Sequence, residues 1–317
     1  MFSVEVLEDS VNLYGDRLTT FKLTFPRFIL AELNTHRMFS RNSASSRAIP
    51  PDDTYDEDGN IVKKGLITKV KEDPFVPLTF NSRVKGMGVG AALDEASSGR
   101  AESVWRDAAQ QAVYLSQELC DIGLDKSRIN RLLEPYMWHT AIVSATDWAN
   151  FYALRNHLGA QPEFQMLAAM MQDAHEASEP VRMSQGWHLP MVSAEERQNA
   201  SPLDWDKLKK TSAGRVARVS YDTQDNFEPQ SASVERADAL ANNGHFSPFE
   251  HVARPITERE AKAATELVEN YRAWCEFYKQ PYDSKYADSF YYRANFRGWV
   301  QMRYSLPHEN DFSKADW

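Results

Sequence analysis

The chain has 317 residues, of which 42% are hydrophobic, and a formal net charge of −9 at pH 7. This length and composition suit one large globular domain or two small ones, and the negative charge disfavours a general nucleic-acid binder. No apolar run is long enough to predict a membrane span, and the N-terminus lacks the pattern of a signal peptide. Cys120 and Cys275 form no CxxC pair, which is typical of a reducing compartment, so we expect a cytoplasmic protein.

The first ninety residues predict strands followed by a long loop region. Residues 4–30 are strand-like, because Thr20–Phe25 alternates in polarity and Pro26 then ends the strand. A short helix is predicted over Phe28–Met38. Residues 52–90 are predicted as a loop-rich insertion, rich in acids at its start and in glycine at its end.

The middle and the end of the chain predict mainly helices, because apolar residues recur at helical spacing. The predicted helices are residues 92–122 with Gly123 as a C-cap, Ser127–Leu133 and Met137–Leu158 with an interruption at Pro135, Gln161–Ala177, Ser233–Asn243 closed by Gly244, and Glu258–Tyr278. Residues 181–214 are predicted to be irregular, and residues 215–221 to form a strand. The pattern indicates an α+β fold with helices in excess, and no linker marks a domain boundary.

A basic, serine-rich segment covers residues 33–51 and contains no acid. If this segment is extended, Ser43, Ser45 and Arg47 share one side, and Asn42, Ala44 and Ser46 share the other. Hydroxyls beside a guanidinium suit a phosphate group. A polar surface loop of the same composition is the alternative interpretation.

The segment Gly244–His251 predicts a tight turn into a helix. Ser247 suits the N-cap, Pro248 the first helical position, and Glu250 the third position of a capping box. The turn is either a well-formed helix start or a docking point for a phosphate or an electron-rich cofactor. His245 and His251, without further ligands, predict no metal site.

Residues 146–159 predict a helix with an apolar face. Asn150 and Arg155 lie about 140° apart on such a helix, so they could present themselves to two different ligands. The alternative is that both side chains face solvent.

Together these segments resemble the flavin-dependent thymidylate synthases. Thr35-His36-Arg37, seven residues and Ser45 resemble the family signature Arg-His-Arg, seven residues and Ser, and Ser45-Ser46-Arg47 resembles its Ser-x-Arg element. Residues 128–165 resemble the helical core of the family. Residues 215–251 resemble its N-terminal region, although they stand here in the C-terminal third.

The resemblance therefore implies a helix-rich α+β fold with a mixed or antiparallel sheet and segments in permuted order. It implies a single domain over residues 1–317. The parts of that domain are a strand and signature segment (1–51), a loop insertion (52–90), a helical core (91–180) and the permuted segment (215–317).

The resemblance also implies ligands and residue roles. FAD would be contacted by His36, Arg37, Asn150 and Ser247. The nucleotide would be contacted by Glu32, Ser45, Arg47, Arg131 and Arg155, with Ser45, Arg155 and His245 as the catalytic residues. The implied reaction transfers a one-carbon unit from methylenetetrahydrofolate to C5 of dUMP, with NADPH as a further co-substrate. The implied assembly is a homotetramer, without membrane or nucleic-acid partners.

Several residues depart from the family pattern and keep alternatives open. These are Thr35, Ser43 and Ala48 in the signature, and Ser144 and Thr146, which replace a flavin-contacting Asn and Arg. One alternative is a related hydroxymethylase or an enzyme that modifies dCMP, and another is a non-catalytic nucleotide- or nucleic-acid-binding protein. A serine hydrolase built on Ser45 and His36 is the weakest alternative, because no nucleophile-elbow pattern surrounds Ser45.

Overall fold

The computed structural model of the protein describes residues 1–86, 88–223, 228–307 and 309. The strands within this part of the chain are β1 Ser3–Asn12, β2 Arg17–Pro26, β3 Ser40–Ser43, β4 Thr54–Tyr55, β5 Ile61–Lys63, β6 Trp138–Ala145, β7 Val181–Met183, β8 Ala253–Pro255, β9 Tyr292–Arg293, β10 Phe296–Arg297 and β11 Trp299–Gln301. The α-helices are α1 Leu30–Leu33, α2 Leu66–Glu72, α3 Glu95–Asp121, α4 Lys126–Leu133, α5 Ala149–Arg155, α6 Pro162–Ala177, α7 Ala194–Gln198, α8 Trp205–Ala217, α9 Gln230–Asn242, α10 Glu258–Phe277 and α11 Ser284–Asp288. Short 3-10 helices include Arg218–Tyr221 and Ser247–Glu250.

A five-stranded mixed sheet forms the centre of the fold, with strand order β3-β6-β2-β1-β7. β1 and β2 form an antiparallel hairpin, and β6 pairs antiparallel with both β2 and β3. β7 pairs parallel with β1. The predicted α+β class with a mixed sheet is confirmed.

One face of the sheet carries the largest apolar core. Alternate residues of β2 point to this face because successive side chains of a strand point to opposite sides. Helices α5 and α6 cover them. The fully buried members include Phe21, Leu23, Phe25, Val143, Phe164 and Leu167.

The opposite face of the sheet is covered by the C-terminal half of the chain. Ile142 packs there against Val216 and Val219, and Leu18 packs against Ala253 and Trp299. Thr20 and Ser144, which pair across β2 and β6, are fully buried on this face. The interface between the two halves therefore includes buried polar groups.

The predicted helix over Met137–Leu158 is wrong in its first half. Trp138–Ala145 is strand β6, with β2 on one side and β3 on the other, and only Ala149–Arg155 is helical. Because a strand buried on both faces is apolar at nearly every position, its sequence shows no alternation. The sequence alone therefore does not distinguish such a strand from a buried helix.

Two predictions for residues 181–221 are also wrong. Most of the segment expected to be irregular has regular secondary structure, with β7 at its start and helix α8 at its end. The strand predicted over residues 215–221 is instead the last turn of α8 followed by the 3-10 helix Arg218–Tyr221. Its small and β-branched residues are buried because the helix packs on α9 and the sheet, so tertiary packing overrides their strand propensity.

The other predicted helices are confirmed within two or three residues at their ends, as α3, α4, α6, α9 and α10. The helix expected over Phe28–Met38 is shorter, consisting of a 3-10 turn and α1. Gly123 and Gly244 follow α3 and α9 with φ of +77° and +74°, the left-handed conformation typical of a helix end. In the part of the chain that the structure describes, no helix has both the length and the apolar character needed to cross a bilayer.

Candidate active site

The signature segment continues from strand β3 into a turn. Asn42, Ala44 and Ser46 are buried, whereas Ser43 and Ser45 are half-buried and Arg47 is exposed, as the predicted alternation requires. The backbone turns after Ser45, whose N–H donates to the Ser220 carbonyl at 3.1 Å and whose Oγ accepts from the Arg47 N–H at 3.2 Å. The two-sided arrangement is thus confirmed, although the strand itself ends at Ser43.

Glu32, His36 and Arg155 form a first group of predicted site residues. Arg155 donates from Nε to His36 Nε2 at 3.1 Å and from a terminal nitrogen to Glu32 Oε2 at 3.2 Å. Its guanidinium also lies over the Phe164 ring, 4.7 Å from the centroid. These contacts hold Arg155 in one orientation with its side chain 23% exposed.

His36 in this group is a neutral imidazole at physiological pH. Burial, with smaller contributions from the charges of Arg155 and Arg41, lowers the pKa of His36 to about 4. The ring stacks on Phe39 and meets the edge of Phe151. Because Nε2 accepts from Arg155, the proton of the neutral ring is on Nδ1.

An open cleft of about 870 Å³ begins at the Glu32–Arg155 pair. Residues 77–83 of the predicted insertion form part of its opposite wall. Glu163, which is 2% exposed, anchors this wall by accepting a hydrogen bond from the Leu78 N–H at 2.9 Å. Arg83 is exposed in the cleft and makes no hydrogen bond or ion pair within the described residues. The cleft therefore offers a free cation in addition to Arg155.

Ser45, Arg47 and Arg131 belong to a second group, which is organised by Glu134. One oxygen of Glu134 accepts hydrogen bonds from Arg27 at 3.1 Å, Ser46 at 2.9 Å and Arg131 at 2.7 Å. Ser46 is the residue between Ser45 and Arg47, so this carboxylate fixes the turn that carries both. Arg131 keeps its side chain 55% exposed, which leaves it accessible to an anion.

The turn that precedes His251 does not form the predicted capping box. Ser247–Glu250 is a single 3-10 turn without a side-chain cap, and Glu250 instead pairs with Arg303 at 2.6 Å. A charged guanidinium is a stronger partner for a carboxylate than a backbone N–H. His245 and Ser247 are exposed, and Ser247 presents a free hydroxyl in the part of the chain that the structure describes.

Arg37 and Asn150 are exposed, and neither makes a hydrogen bond or ion pair with the two groups within the described residues. Asn150 lies at the start of α5 and Arg155 at its end, so the expected separation of the two on one helix is present. Across residues 1–86, 88–223, 228–307 and 309, no hydrogen bond or ion pair joins the first group to the second. A single chain thus presents the predicted nucleotide contacts as two separate sets.

Three contributors to the site were missed by sequence reasoning. Arg41 donates to the carbonyls of Leu33 and His36 at 3.2 and 3.1 Å and so holds the loop that carries His36. Glu134 was missed because its partners Arg27 and Ser46 are distant in sequence, and Arg83 was missed because only the fold places it in the cleft. One indication of Glu134 was present in the sequence: residues 33–51 are basic and contain no acid, so a carboxylate from another part of the chain must bind them.

Ser144 and Thr146 are engaged within the protein. The Ser144 hydroxyl contacts Thr20 and His251, and the Thr146 hydroxyl accepts from the Arg297 N–H at 3.0 Å. The two hydroxyls therefore bind the C-terminal half, at positions that the resemblance matches to a flavin-contacting Asn and Arg.

A sequence model of one family, described as the thymidylate synthase complementing protein (Thy1), matches residues 18–181. The chain belongs to this family. The matched region contains the signature segment and the helical core and ends before residues 215–251, so the permuted order stays a prediction. No curated protein sequence matches the chain.

Solved structures similar to this family member include the UMP/dUMP methylase PolB from Streptomyces cacaoi. Its complex with 5-Br dUMP has 19% identity and a TM-score of 0.41, and the similarity covers 55% of this chain and 90% of that one. Its complex with 5-Br UMP has 18% identity and a TM-score of 0.43, with coverage of 55% and 89%.

Proposed function

We propose that the chain is an FAD-dependent enzyme that transfers a one-carbon unit from methylenetetrahydrofolate to C5 of dUMP, with NADPH as reductant. The observation that carries the proposal is the Glu32–His36–Arg155 group, which lies within the family match and opens onto a cleft. A cleft of about 870 Å³ falls in the range of small-molecule sites. The whole chain, residues 1–317, would form one domain with its segments in permuted order.

The side chains assigned to FAD fit that cofactor in their chemistry. Arg37, Asn150 and Ser247 are exposed and offer a guanidinium, an amide and a hydroxyl, groups that suit a diphosphate and the polar edge of an isoalloxazine ring. His36, next to Arg37 in the sequence, adds a half-buried neutral ring. Ser144 and Thr146 would not take part, because their hydroxyls have internal partners.

The cysteines support a route without a thiolate nucleophile. Burial, together with Asp52, raises the pKa of Cys120 to about 11, and Cys275 is buried. A thiol with a raised pKa is a poor nucleophile at neutral pH. Bound reduced FAD would instead supply the reducing equivalents and the activation of the pyrimidine ring.

The residues of this chain would bind, orient and polarise the substrates. Arg155, held by Glu32 and His36, would donate to a pyrimidine carbonyl or a phosphate oxygen from a fixed position. Arg47 and Arg131 would bind phosphate, and Ser45 would donate a hydrogen bond near the ring. His245 would lie at the flavin-side edge of the site.

The competing functions differ in their observable outcomes. Purified protein should show flavin absorbance or bind added FAD in the micromolar range, about −8 kcal/mol. Titration with dUMP and dCMP then identifies the base, and mass spectrometry of the product separates methyl from hydroxymethyl transfer. A colourless protein that binds no FAD and binds DNA in a steeply salt-dependent manner would overturn the proposal. A serine hydrolase finds no support, because no histidine contacts Ser45 within the described residues.

A further inference from the structure

A line of buried polar side chains crosses the sheet on the face covered by the C-terminal half. Each of the four neighbouring strands β1, β2, β6 and β3 contributes one side chain, and two histidines from the covering half lie between them. We call this line the polar seam, and its members are Ser10, His188, Thr20, Ser144, His251 and Asn42. All six are at most 7% exposed.

The polar seam is a continuous hydrogen-bonded chain. Its successive links are Ser10 Oγ to His188 Nδ1 at 2.9 Å, His188 Nε2 to Thr20 Oγ1 at 2.7 Å, Thr20 Oγ1 to Ser144 Oγ at 2.6 Å, Ser144 Oγ to His251 Nδ1 at 2.8 Å, and His251 Nε2 to the Asn42 amide at 3.2 Å. Both nitrogens of both rings are therefore engaged. Burial lowers the pKa of His251 to about 3, so this ring stays neutral and carries one proton.

The orientation of the Asn42 amide determines the donor-to-acceptor direction of the hydrogen bonds along the polar seam. With its amide nitrogen toward His251, Asn42 faces His251 Nε2, the Ser247 carbonyl and the Arg41 carbonyl, each at 3.2 Å. In this orientation the nitrogen faces acceptors only, whereas the reverse orientation would place its oxygen against two carbonyls. His251 Nε2 then accepts from Asn42, so the His251 proton is on Nδ1 and is donated to Ser144.

Asn42 and His251 thereby join two segments that the proposed function needs together. Asn42 lies on the signature strand, which follows the loop that carries His36 and Arg37. His251 follows the turn that carries His245 and Ser247, and that turn packs against β3. We propose that His251 and Asn42 are positioning residues, which hold the 245–250 turn against the signature strand and so fix the flavin side of the site. The functional part of this inference rests on the proposed function.

Two amide variants separate the links that His251 makes. His251→Gln places an amide where Nε2 lies, so it keeps an acceptor for Asn42 and loses the contact with Ser144. His251→Asn places an amide where Nδ1 lies, so it keeps the donor for Ser144 and loses Asn42. Both variants leave one buried group without its partner, so a general loss of stability should affect both alike.

The experiment measures amide hydrogen exchange of residues 245–251 and FAD affinity in the full-length protein and these variants. We expect His251→Asn to speed exchange in the turn and weaken FAD binding by about ten-fold, and His251→Gln to stay within about three-fold of the wild type for both. Ser10→Ala, at the far end of the polar seam, should change neither. Equal effects of the two His251 variants, or an effect of Ser10→Ala as large as that of His251→Asn, would overturn the proposal.

A measurement on the unmodified protein makes the test independent of variant folding. Nitrogen-15 NMR of labelled histidine should show the His251 proton on Nδ1, and a proton on Nε2 would contradict the link from Asn42. If the wild type binds no FAD, the proposed function fails. Exchange in the turn still decides whether His251 and Asn42 position it.

Discussion

At the scale of single residues, Arg155 is the best-defined member of the candidate site. Glu32, His36 and the Phe164 ring contact it from three directions, so little conformational freedom remains for it to lose on binding a ligand. Ser45 differs, because its hydroxyl already accepts a hydrogen bond from the Arg47 N–H within its own turn.

Arg155→Ala should weaken nucleotide binding by about ten- to one-hundred-fold, because a charge-assisted hydrogen bond contributes about 1.5–3 kcal/mol. Ser45→Ala should weaken it less, since a neutral hydroxyl is removed and Arg47 and Arg131 remain. Both variants should retain FAD. Titrating dUMP and dCMP while following the flavin spectrum measures this, with Arg100→Ala on the exposed surface of α3 as a control. Wild-type affinity in Arg155→Ala would show that the helical core has been matched wrongly to the family.

One buried histidine, His251, and two half-buried ones, His36 and His175, predict a loss of stability in mild acid. Burial, the largest cause in each case, lowers the pKa values of His36 and His175 to about 4 and of His251 to about 3, from an ordinary value of 6.5. Below pH 6.5 the unfolded chain therefore binds protons that the folded chain does not, and stability falls as the pH drops toward 4.

The thermal midpoint should be lower at pH 5 than at pH 7.5, by roughly 5 °C. The carboxylates of Glu196, Glu228 and Glu260 have pKa values of about 2 because of their arginine partners, so they do not titrate in this window. Scanning calorimetry at the two pH values is the measurement. A midpoint that does not change between them would contradict the assignment to histidine.

At the scale of structural elements, the junction between β10 and β11 depends on a glycine. Gly298 has a φ of +69°, and an added Cβ would collide with the side chains of Asp16 and Asn12. The same glycine accepts a hydrogen bond from the Asn12 amide at 2.9 Å. The C-terminal strands therefore fit the β1–β2 turn only when residue 298 has no side chain.

Gly298→Ala should lower the free energy of unfolding by about 1–3 kcal/mol, because backbone strain and a steric clash add together. Gly99→Ala is a suitable control, since that glycine lies in α3 with nothing near its Cβ position, and alanine there should stabilise the helix slightly. Chemical denaturation of the two variants gives the comparison. Equal stability of Gly298→Ala and the wild type would refute the close packing of this junction.

Elements were predictable from the sequence where one face carries polar side chains. Helices α3, α9 and α10 each have an exposed side, and one face of β2 carries Thr20, Lys22 and Thr24, so the polarity of these elements shows the correct period. β6 and the end of α8 are buried on all sides, and their sequences carry no such period. The two sets of candidate site residues could be named from the family resemblance. Their partner Glu134 could not, because it contacts Arg27 and Ser46 from a distant part of the sequence. The role of Arg41 depends on where the folded loop places the carbonyls of Leu33 and His36.

At the scale of the whole molecule, the two sets of predicted nucleotide contacts share no hydrogen bond or ion pair within the described residues of one chain. The family resemblance implies sites at subunit interfaces, where a second copy would supply one of the two sets. We therefore predict a homotetramer. Light scattering should give about four times the mass of the 36.2 kDa chain, and a monomer at working concentration would contradict the prediction.

The docking of the C-terminal half onto the sheet also has a consequence for biosynthesis. Ser10, Thr20 and Ser144 leave the ribosome long before His251. The contacts of Asn12 and Asp16 with residues 297–299 can form only when the last part of the chain has been synthesised. During translation the completed first half would expose a face with hydroxyls and apolar residues that only the last part of the chain can cover. The nascent protein would thus remain dependent on holding by chaperones until its C-terminal segment is synthesised, and truncated products should be captured by them or aggregate.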